Sequence, residues 1–136
     1  MSLAGAQILL YPTAIGWDPA DLDEEKTRQI EAWQTIQRSH AIANNVPVIS
    51  CNRVGFESSN GKPADGIQFW GASFVCGPQG EMLAQASNNK ECVLTADLNL
   101  RRNEELSRIW PFFRDRRIDA YADLLQRYRD KEAAGK

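Results

Sequence analysis

The chain has 136 residues, of which 43% are hydrophobic and 25% charged, and its formal net charge is −2 at pH 7. This length suits one domain with an apolar core, so residues 1–136 are expected to form a single unit. The near-neutral balance gives no basic bias toward nucleic acid, and the longest apolar runs are too short for a membrane span. Three widely spaced cysteines without a CxxC pair favour free thiols in a reducing cytoplasm.

The first half of the chain is predicted to form a strand, a helix and a second strand. Residues 8–11 form a continuous apolar run that Pro12 ends, which is typical of a strand covered on both faces. A helical pattern follows over about residues 22–45, and residues 46–51 form the next apolar run. This order predicts a βαβ unit with parallel strands.

The second half is predicted to form strands and then helices. Residues 57–66 are polar and rich in turn-forming residues, which indicates an exposed loop. Three stretches predict the strands of a β-meander: residues 69–76, 81–86 and 91–98. Helices are expected at residues 101–109 and, beyond Pro111, at residues 118–131. The predicted fold class is therefore α/β, a βαβ unit followed by a β-meander and terminal helices.

The residues alone offer no complete catalytic constellation. Cys51 ends a predicted strand and precedes Arg53, whose charge would favour a thiolate, but a cysteine packed in a strand is the interpretation we prefer. His40, the only histidine, lies late on the predicted helix and is interpreted as a helix-face residue with a satisfied ring. The chain has no cluster of cysteines and histidines with metal-ligand spacing, so we expect no metal site.

Four stretches resemble the nitrilase, or carbon–nitrogen hydrolase, superfamily: GAQILLYPTAIGWDP, SHAIANNVPVISCNRVGFE, FWGASFVCGPQGEMLAQAS and WPFFRDRRIDAY. Within it, YPTAIGWDP together with FFRDRR resembles the carbamoylputrescine branch. The resemblance runs from about residue 5 to about residue 131. It implies the C-terminal half of an α-β-β-α sandwich, with the family's catalytic Glu, Lys and Cys expected upstream of this chain.

The resemblance also implies an activity and its partners. The expected reaction converts N-carbamoylputrescine to putrescine, carbon dioxide and ammonia in polyamine biosynthesis, without a cofactor. The expected ligand is a small carbamoylated amine, and the expected protein is a cytoplasmic homo-oligomer that binds neither nucleic acid nor membrane. Without the catalytic half, this chain alone is expected to be inactive. Two alternatives stay open: another nitrilase-type ureido or amide hydrolase, and a non-catalytic, truncated oligomerisation domain.

Within this chain, the resemblance implies substrate contacts in the loop after the first strand. Asp18 is expected to accept the ammonium at the far end of the substrate, with Thr13 and Ala14 in the same wall of the pocket. The alternative for Asp18 is a turn aspartate that precedes Pro19.

A second group of polar residues leaves the next predicted strand on the same side. Asn52, Arg53 and Glu57 are expected to support the pocket from behind rather than to touch the substrate. The resemblance matches Cys51 to a non-catalytic strand of the family. We therefore assign no catalytic residue and no metal ligand to this chain.

Overall fold

The computed structural model describes residues 1–59, 61 and 65–127, which contain two β-sheets and several helices. In chain order the strands and α-helices are β1 (Leu9–Pro12), β2 (Gly16–Trp17), α1 (Asp23–Asn44), β3 (Val48–Cys51), β4 (Val54–Ser58), β5 (Gly66–Trp70), β6 (Phe74–Cys76), β7 (Met82–Gln85), α2 (Arg101–Ile109) and α3 (Phe112–Asp115). Short 3-10 turns lie at Ser2–Ala4, Ile118–Ala120 and Ala122–Leu125.

The first sheet has the strand order β1-β3-β6-β7. Strands β1 and β3 are parallel, with Leu9 opposite Val48 and Pro12 opposite Cys51, and α1 forms the connection between them. The predicted βαβ unit is therefore confirmed. Strand β6 runs antiparallel to β3 and β7 antiparallel to β6, so that the other half of this sheet is antiparallel.

Helix α1 packs against the first sheet and closes the main core. Its observed bounds, Asp23–Asn44, confirm the helical pattern predicted for residues 22–45. Trp33 meets Phe74 of the sheet edge-on, with ring centroids 5.6 Å apart. The buried residues of this core are Leu9, Ala41, Val46, Val48, Phe74 and Cys76. Among the described residues, no helix combines the length and the apolar character that crossing a membrane requires.

The second sheet has the order β2-β5-β4 and is antiparallel throughout. Trp17 of β2 and Trp70 of β5 bring their rings to 5.5 Å between centroids. The predicted loop at residues 57–66 is shorter than expected, because β4 extends to Ser58 and β5 starts at Gly66. Residues 60 and 62–64 of that loop lie outside the described residues.

The predicted β-meander is wrong in two places. Residues 69–76 do not form one strand, because Gly71 and Ala72 have left-handed backbone angles (φ 55° and 54°) that turn the chain from β5 into β6 of the other sheet. Residues 91–98 form no strand, and Val93 among them is 92% exposed.

Two other expectations also need correction. The first strand is not covered on both faces, because Leu10 is 63% exposed in this chain. The predicted helix at residues 118–131 is replaced, over its described part, by the two short 3-10 turns. Residues 128–131 of that prediction lie outside the described residues, whereas α2 has the predicted bounds.

Candidate functional site

Two predicted site residues meet at the carboxyl edge of the parallel β1–β3 pair. Because Pro12 lies opposite Cys51, the residues that follow, Thr13 and Asn52, leave the sheet side by side. The Thr13 backbone N–H donates to Cys51 O at 2.8 Å. The Thr13 hydroxyl lies 2.9 Å from Cys51 O and 3.1 Å from Asn52 Oδ1. The start of the predicted pocket loop is therefore fixed to the end of β3.

The Asn52 carboxamide has hydrogen-bond partners on both its oxygen and its nitrogen. Its Oδ1 accepts from the Ile15 N–H at 2.9 Å and lies 3.1 Å from the Thr13 hydroxyl, whose single proton is shared between this oxygen and Cys51 O. Its Nδ2 donates to Ile15 O at 3.0 Å and to Gly71 O at 3.1 Å. These contacts orient the amide group, since a flipped carboxamide would place its oxygen against two carbonyls. Asn52 thus contacts two separate loops, and its support of a substrate pocket stays a prediction.

Arg53 and Glu57 also lie together, but at the second sheet, where Arg53 directly precedes β4 and Glu57 lies within it. The Arg53 guanidinium pairs with the Glu57 carboxylate at 2.7 Å, and both side chains are more than half exposed. The same guanidinium lies 4.2 Å from the centroid of the Phe69 ring. These contacts tie the start of β4 to β5. That the pair supports a substrate pocket stays a prediction.

A polar cavity of about 360 Å³ lies beside Asn52 and Arg53. Sequence reasoning missed several of its lining residues, including Ser73, Lys90 and Cys92, because Ser73 and Cys92 lie within stretches that were predicted to be strands and Lys90 directly precedes one of them. The remaining lining residues are Val54, Gly71, Ala86, Ser87, Glu91 and Leu94. The cavity carries side chains of both charges, and nothing in the amino-acid pattern signals that these segments meet.

Asp18 lies away from Thr13 and Asn52, in a second cleft of about 350 Å³. This cleft is lined by Asp18, Ser59, Asp65, Gly66 and Ile67. Asp18 Oδ1 accepts from the Ala20 N–H at 2.9 Å, so the aspartate holds the turn that the alternative interpretation expected. Its contact with a substrate ammonium stays a prediction.

Two further features of this cleft and its loop bear on the predicted contacts. Asp65 was not predicted and adds a second carboxylate to the cleft. Its only sequence signal is its place in a polar loop. Ala14 is exposed and lines neither this cleft nor the polar cavity, and its predicted substrate contact stays untested.

The nucleophile and base considered from sequence are not paired with each other. His40 Nδ1 lies 3.0 Å from the Tyr11 hydroxyl, which confirms a partnered helix-face histidine. Cys51 is exposed, so its interpretation as a packed strand residue is wrong in this chain. Cys76 is buried, and burial raises the pKa of its thiol above the ordinary value. Over residues 1–59, 61 and 65–127, no three histidine, cysteine or acidic side chains are grouped to hold a metal ion.

Comparison with known proteins identifies the family. The sequence model described as carbon-nitrogen hydrolase matches residues 1–108. This chain belongs to the carbon–nitrogen hydrolase family. It is 41% identical over 128 residues to N-carbamoylputrescine amidase of Arabidopsis thaliana, a match that covers 92% of this chain and 41% of that protein. It is 34% identical over 128 residues to citrullinase of Francisella tularensis, covering 94% of this chain and 43% of that protein.

Solved structures of carbon–nitrogen hydrolases share the fold of this chain. The chain superposes on a carbon–nitrogen hydrolase from Helicobacter pylori G27 with a TM-score of 0.89 and 56% identity, covering 95% of this chain and 44% of that one. For the C. elegans NitFhit protein the TM-score is 0.67 and the identity 28%, covering 88% of this chain and 25% of that one. The chain therefore spans about two fifths of the length of the curated carbon–nitrogen hydrolases it matches.

Proposed function

We propose that this chain is the C-terminal, pocket-wall segment of a hydrolase that acts on N-carbamoylputrescine. Its 41% identity to a plant N-carbamoylputrescine amidase over 92% of its residues carries the proposal. In the reaction, one water and one ureido group yield the free amine, carbon dioxide and ammonia, so the product amine is putrescine. The complete hydrolase acts without a metal or organic cofactor, as a homo-oligomer in the cytoplasm.

The covalent chemistry is assigned to residues outside this chain. A cysteine nucleophile attacks the ureido carbon, a base takes its proton, and ammonia or the amine leaves before water releases the acyl group. We assign these roles to a Glu, a Lys and a Cys that precede the segment in the longer hydrolase. We assign no role in this step to Cys51. A nucleophilic cysteine needs a base to take its proton, but the ring of His40 is bonded to Tyr11, and the neighbouring Asn52 side chain, which is not a base, is bonded to Ile15 and Gly71.

The carboxylates of the second cleft, the acidic cleft, favour a substrate whose far end is a cation. Asp18 and Asp65 both line the cleft, and Asp18 uses Oδ1 to hold its own turn. Its second oxygen is therefore the one proposed to accept the ammonium at the far end of carbamoylputrescine as a charge-assisted hydrogen bond. Thr13 and Ala14 belong to the same loop and are proposed to contact the substrate nearer its ureido end.

A second candidate is a hydrolase of ureido amino acids, which the 34% identity to a citrullinase supports. Citrulline carries the same ureido group, but its far end holds a carboxylate beside the ammonium. A carboxylate placed near Asp18 and Asp65 would be repelled, since like charges at close range are destabilising in a partly dry site. The acidic cleft therefore favours carbamoylputrescine over citrulline.

The test is ammonia release by the longer hydrolase that contains this segment. Carbamoylputrescine, citrulline and N-carbamoyl-β-alanine are assayed side by side under the same conditions. The proposal requires the highest kcat/KM for carbamoylputrescine. A higher kcat/KM for citrulline would establish the second candidate, and no turnover of any ureido compound would leave the interaction-domain alternative.

A further inference from the structure

The connection between β5 and β6 has a conformation that is unfavourable for an ordinary residue. Gly71 and Ala72 are consecutive residues with left-handed backbone angles, φ 55° and 54°, and both are buried. Gly71 tolerates this conformation, but Ala72 carries a Cβ that disfavours it. Such a conformation is retained only where contacts with neighbouring residues outweigh its strain. It is often found at functional sites, where the backbone must be held in one geometry.

Backbone hydrogen bonds and close packing hold this left-handed turn, which we define as residues 71–73. The Gly71 N–H donates to Arg53 O at 2.7 Å, and the Ala72 N–H donates to Ser87 O at 3.1 Å. A Cβ at residue 71 would lie 2.5 Å from Val54 Cγ1, so the turn packs closely on β4.

Residue 52 is joined to the same turn through its backbone and through its side chain. The Asn52 N–H donates to the Ser73 hydroxyl at 2.9 Å, and that hydroxyl lies 3.3 Å from Asn52 O. The Asn52 side chain donates to Gly71 O at 3.1 Å. Because the other contacts of this carboxamide are with Ile15 and the Thr13 hydroxyl, one planar group spans the turn and the pocket loop.

We propose that Asn52 is a positioning residue that makes the left-handed turn and the pocket loop, residues 13–15, move as one body, in addition to the pairing of β2 with β5 that follows the loop. The turn supplies a rigid support, because its own conformation is fixed by contacts with β4 and with Ser87. The hydrogen bond from the Ile15 N–H to the Asn52 carboxamide holds Ile15 against this support. After Ile15 the chain forms β2 and then reaches Asp18. Its consequence for substrate choice rests on the function proposed above, whereas the mechanical coupling does not.

Amide hydrogen exchange on the wild-type chain tests the coupling without any substitution. If the turn and the loop open together, the amides of Ile15, Gly71 and Ala72 exchange with the same opening constant and the same denaturant dependence. Opening constants for Ile15 and Gly71 that differ by more than about tenfold would overturn the proposal, because such a loop opens alone.

Variants of Asn52 then separate the two halves of the carboxamide. Asn52→Asp keeps an acceptor for the Ile15 N–H and removes both donors, so exchange at Gly71 and Ala72 is expected to rise about fivefold to tenfold. Asn52→Ala removes both links and is expected to raise exchange at Ile15 as well. Asn89→Asp is the matched control, because Asn89 is exposed and does not line the polar cavity. Unchanged exchange at Gly71 and Ala72 in both variants would overturn the proposal.

The functional arm uses the longer hydrolase and the ratio of kcat/KM for carbamoylputrescine to that for N-carbamoylbutylamine, whose far end is an uncharged methyl. A residue that only stabilises the fold would lower both values equally. A positioning residue is expected to lower the ratio, by about threefold or more in Asn52→Asp, because the loop that presents Asp18 shifts. An unchanged ratio with coupled exchange would refute the consequence for substrate choice alone. Absence of turnover in the wild type would instead refute the proposed function.

Discussion

Replacing Asp18 by Asn removes one charge from the acidic cleft and leaves its shape unchanged. The Asn oxygen can still accept from the Ala20 N–H, which Asp18 Oδ1 holds at 2.9 Å, so the turn is preserved. Asp18 is exposed in this chain, which places its interaction with an ammonium between the water and protein-surface limits, about 1–4 kcal/mol at contact. After desolvation of the ion pair we expect a net loss of about 1–2 kcal/mol.

That loss corresponds to a rise in KM of about fivefold to thirtyfold, with kcat nearly unchanged if the pair forms equally in the ground and transition states. The assay is ammonia release by the longer hydrolase with carbamoylputrescine and with N-carbamoylbutylamine. The uncharged compound should lose little, because it has no cation to pair. Asp97→Asn is the matched control, since Asp97 is an exposed carboxylate outside the cleft. Equal losses for both substrates in Asp18→Asn would show that Asp18 is only a turn residue.

Three further outcomes are expected. The 136-residue chain alone should release no ammonia from carbamoylputrescine; release that Cys51→Ala abolishes would contradict this. The chain should associate as its concentration rises, because apolar side chains such as Trp110 and Phe112 are more than a third exposed; light scattering that reports a monomer at high concentration would contradict this. A thiol reagent at neutral pH should modify Cys51 and Cys92, which are exposed, and should reach buried Cys76 only after unfolding; rapid modification of Cys76 in the folded chain would contradict this.

The sign of the Cys76 effect on stability follows from its raised pKa. Burial favours the neutral thiol in the folded chain, so the folded state holds this proton more tightly than the unfolded state does. The stability that results is complete below the ordinary thiol pKa of 9.0 and is lost as the pH rises through the higher folded value. Cys76→Ser would remove this dependence. Its alkaline unfolding curve should therefore be flatter above pH 9.0 than that of the wild type.

The βαβ unit could be predicted because its signals are local. A continuous apolar run, a long helical periodicity and a second apolar run specify β1, α1 and β3 without reference to the rest of the chain. Strand β2 escaped prediction because its two residues give no periodic signal. Strand β4 escaped because it has no fully buried residue and contains Gly55, so its polar sequence resembles a loop.

The division between the two sheets could not be predicted from hydrophobic pattern. Residues 69–76 are apolar almost throughout, and a left-handed turn within them leaves no trace except Gly71. The reverse error arose at residues 91–98, where Val93 and Leu94 suggested a strand. Apolar residues alone do not make a strand: in the part of the chain that the structure describes, residues 91–98 pair with no strand of either sheet, and the first sheet ends at β7.

The candidate site was predictable only where two strand ends lie in register. The βαβ order alone places Thr13 and Asn52 at the same carboxyl edge, and the observed pairing of Pro12 with Cys51 makes them neighbours. The position of Asp18 could not be predicted in this way, because β2 pairs with β5 and so takes the chain to the second sheet before Asp18. A pocket that used both Thr13 and Asp18 would have to span two sheets, which are joined by the turn between β5 and β6 and by the connections from β1 to β2 and from β3 to β4. The carboxamide of Asn52 bonds both the pocket loop and that turn, so, under the function proposed above, Asn52 would help to fix the separation between Thr13 and Asp18.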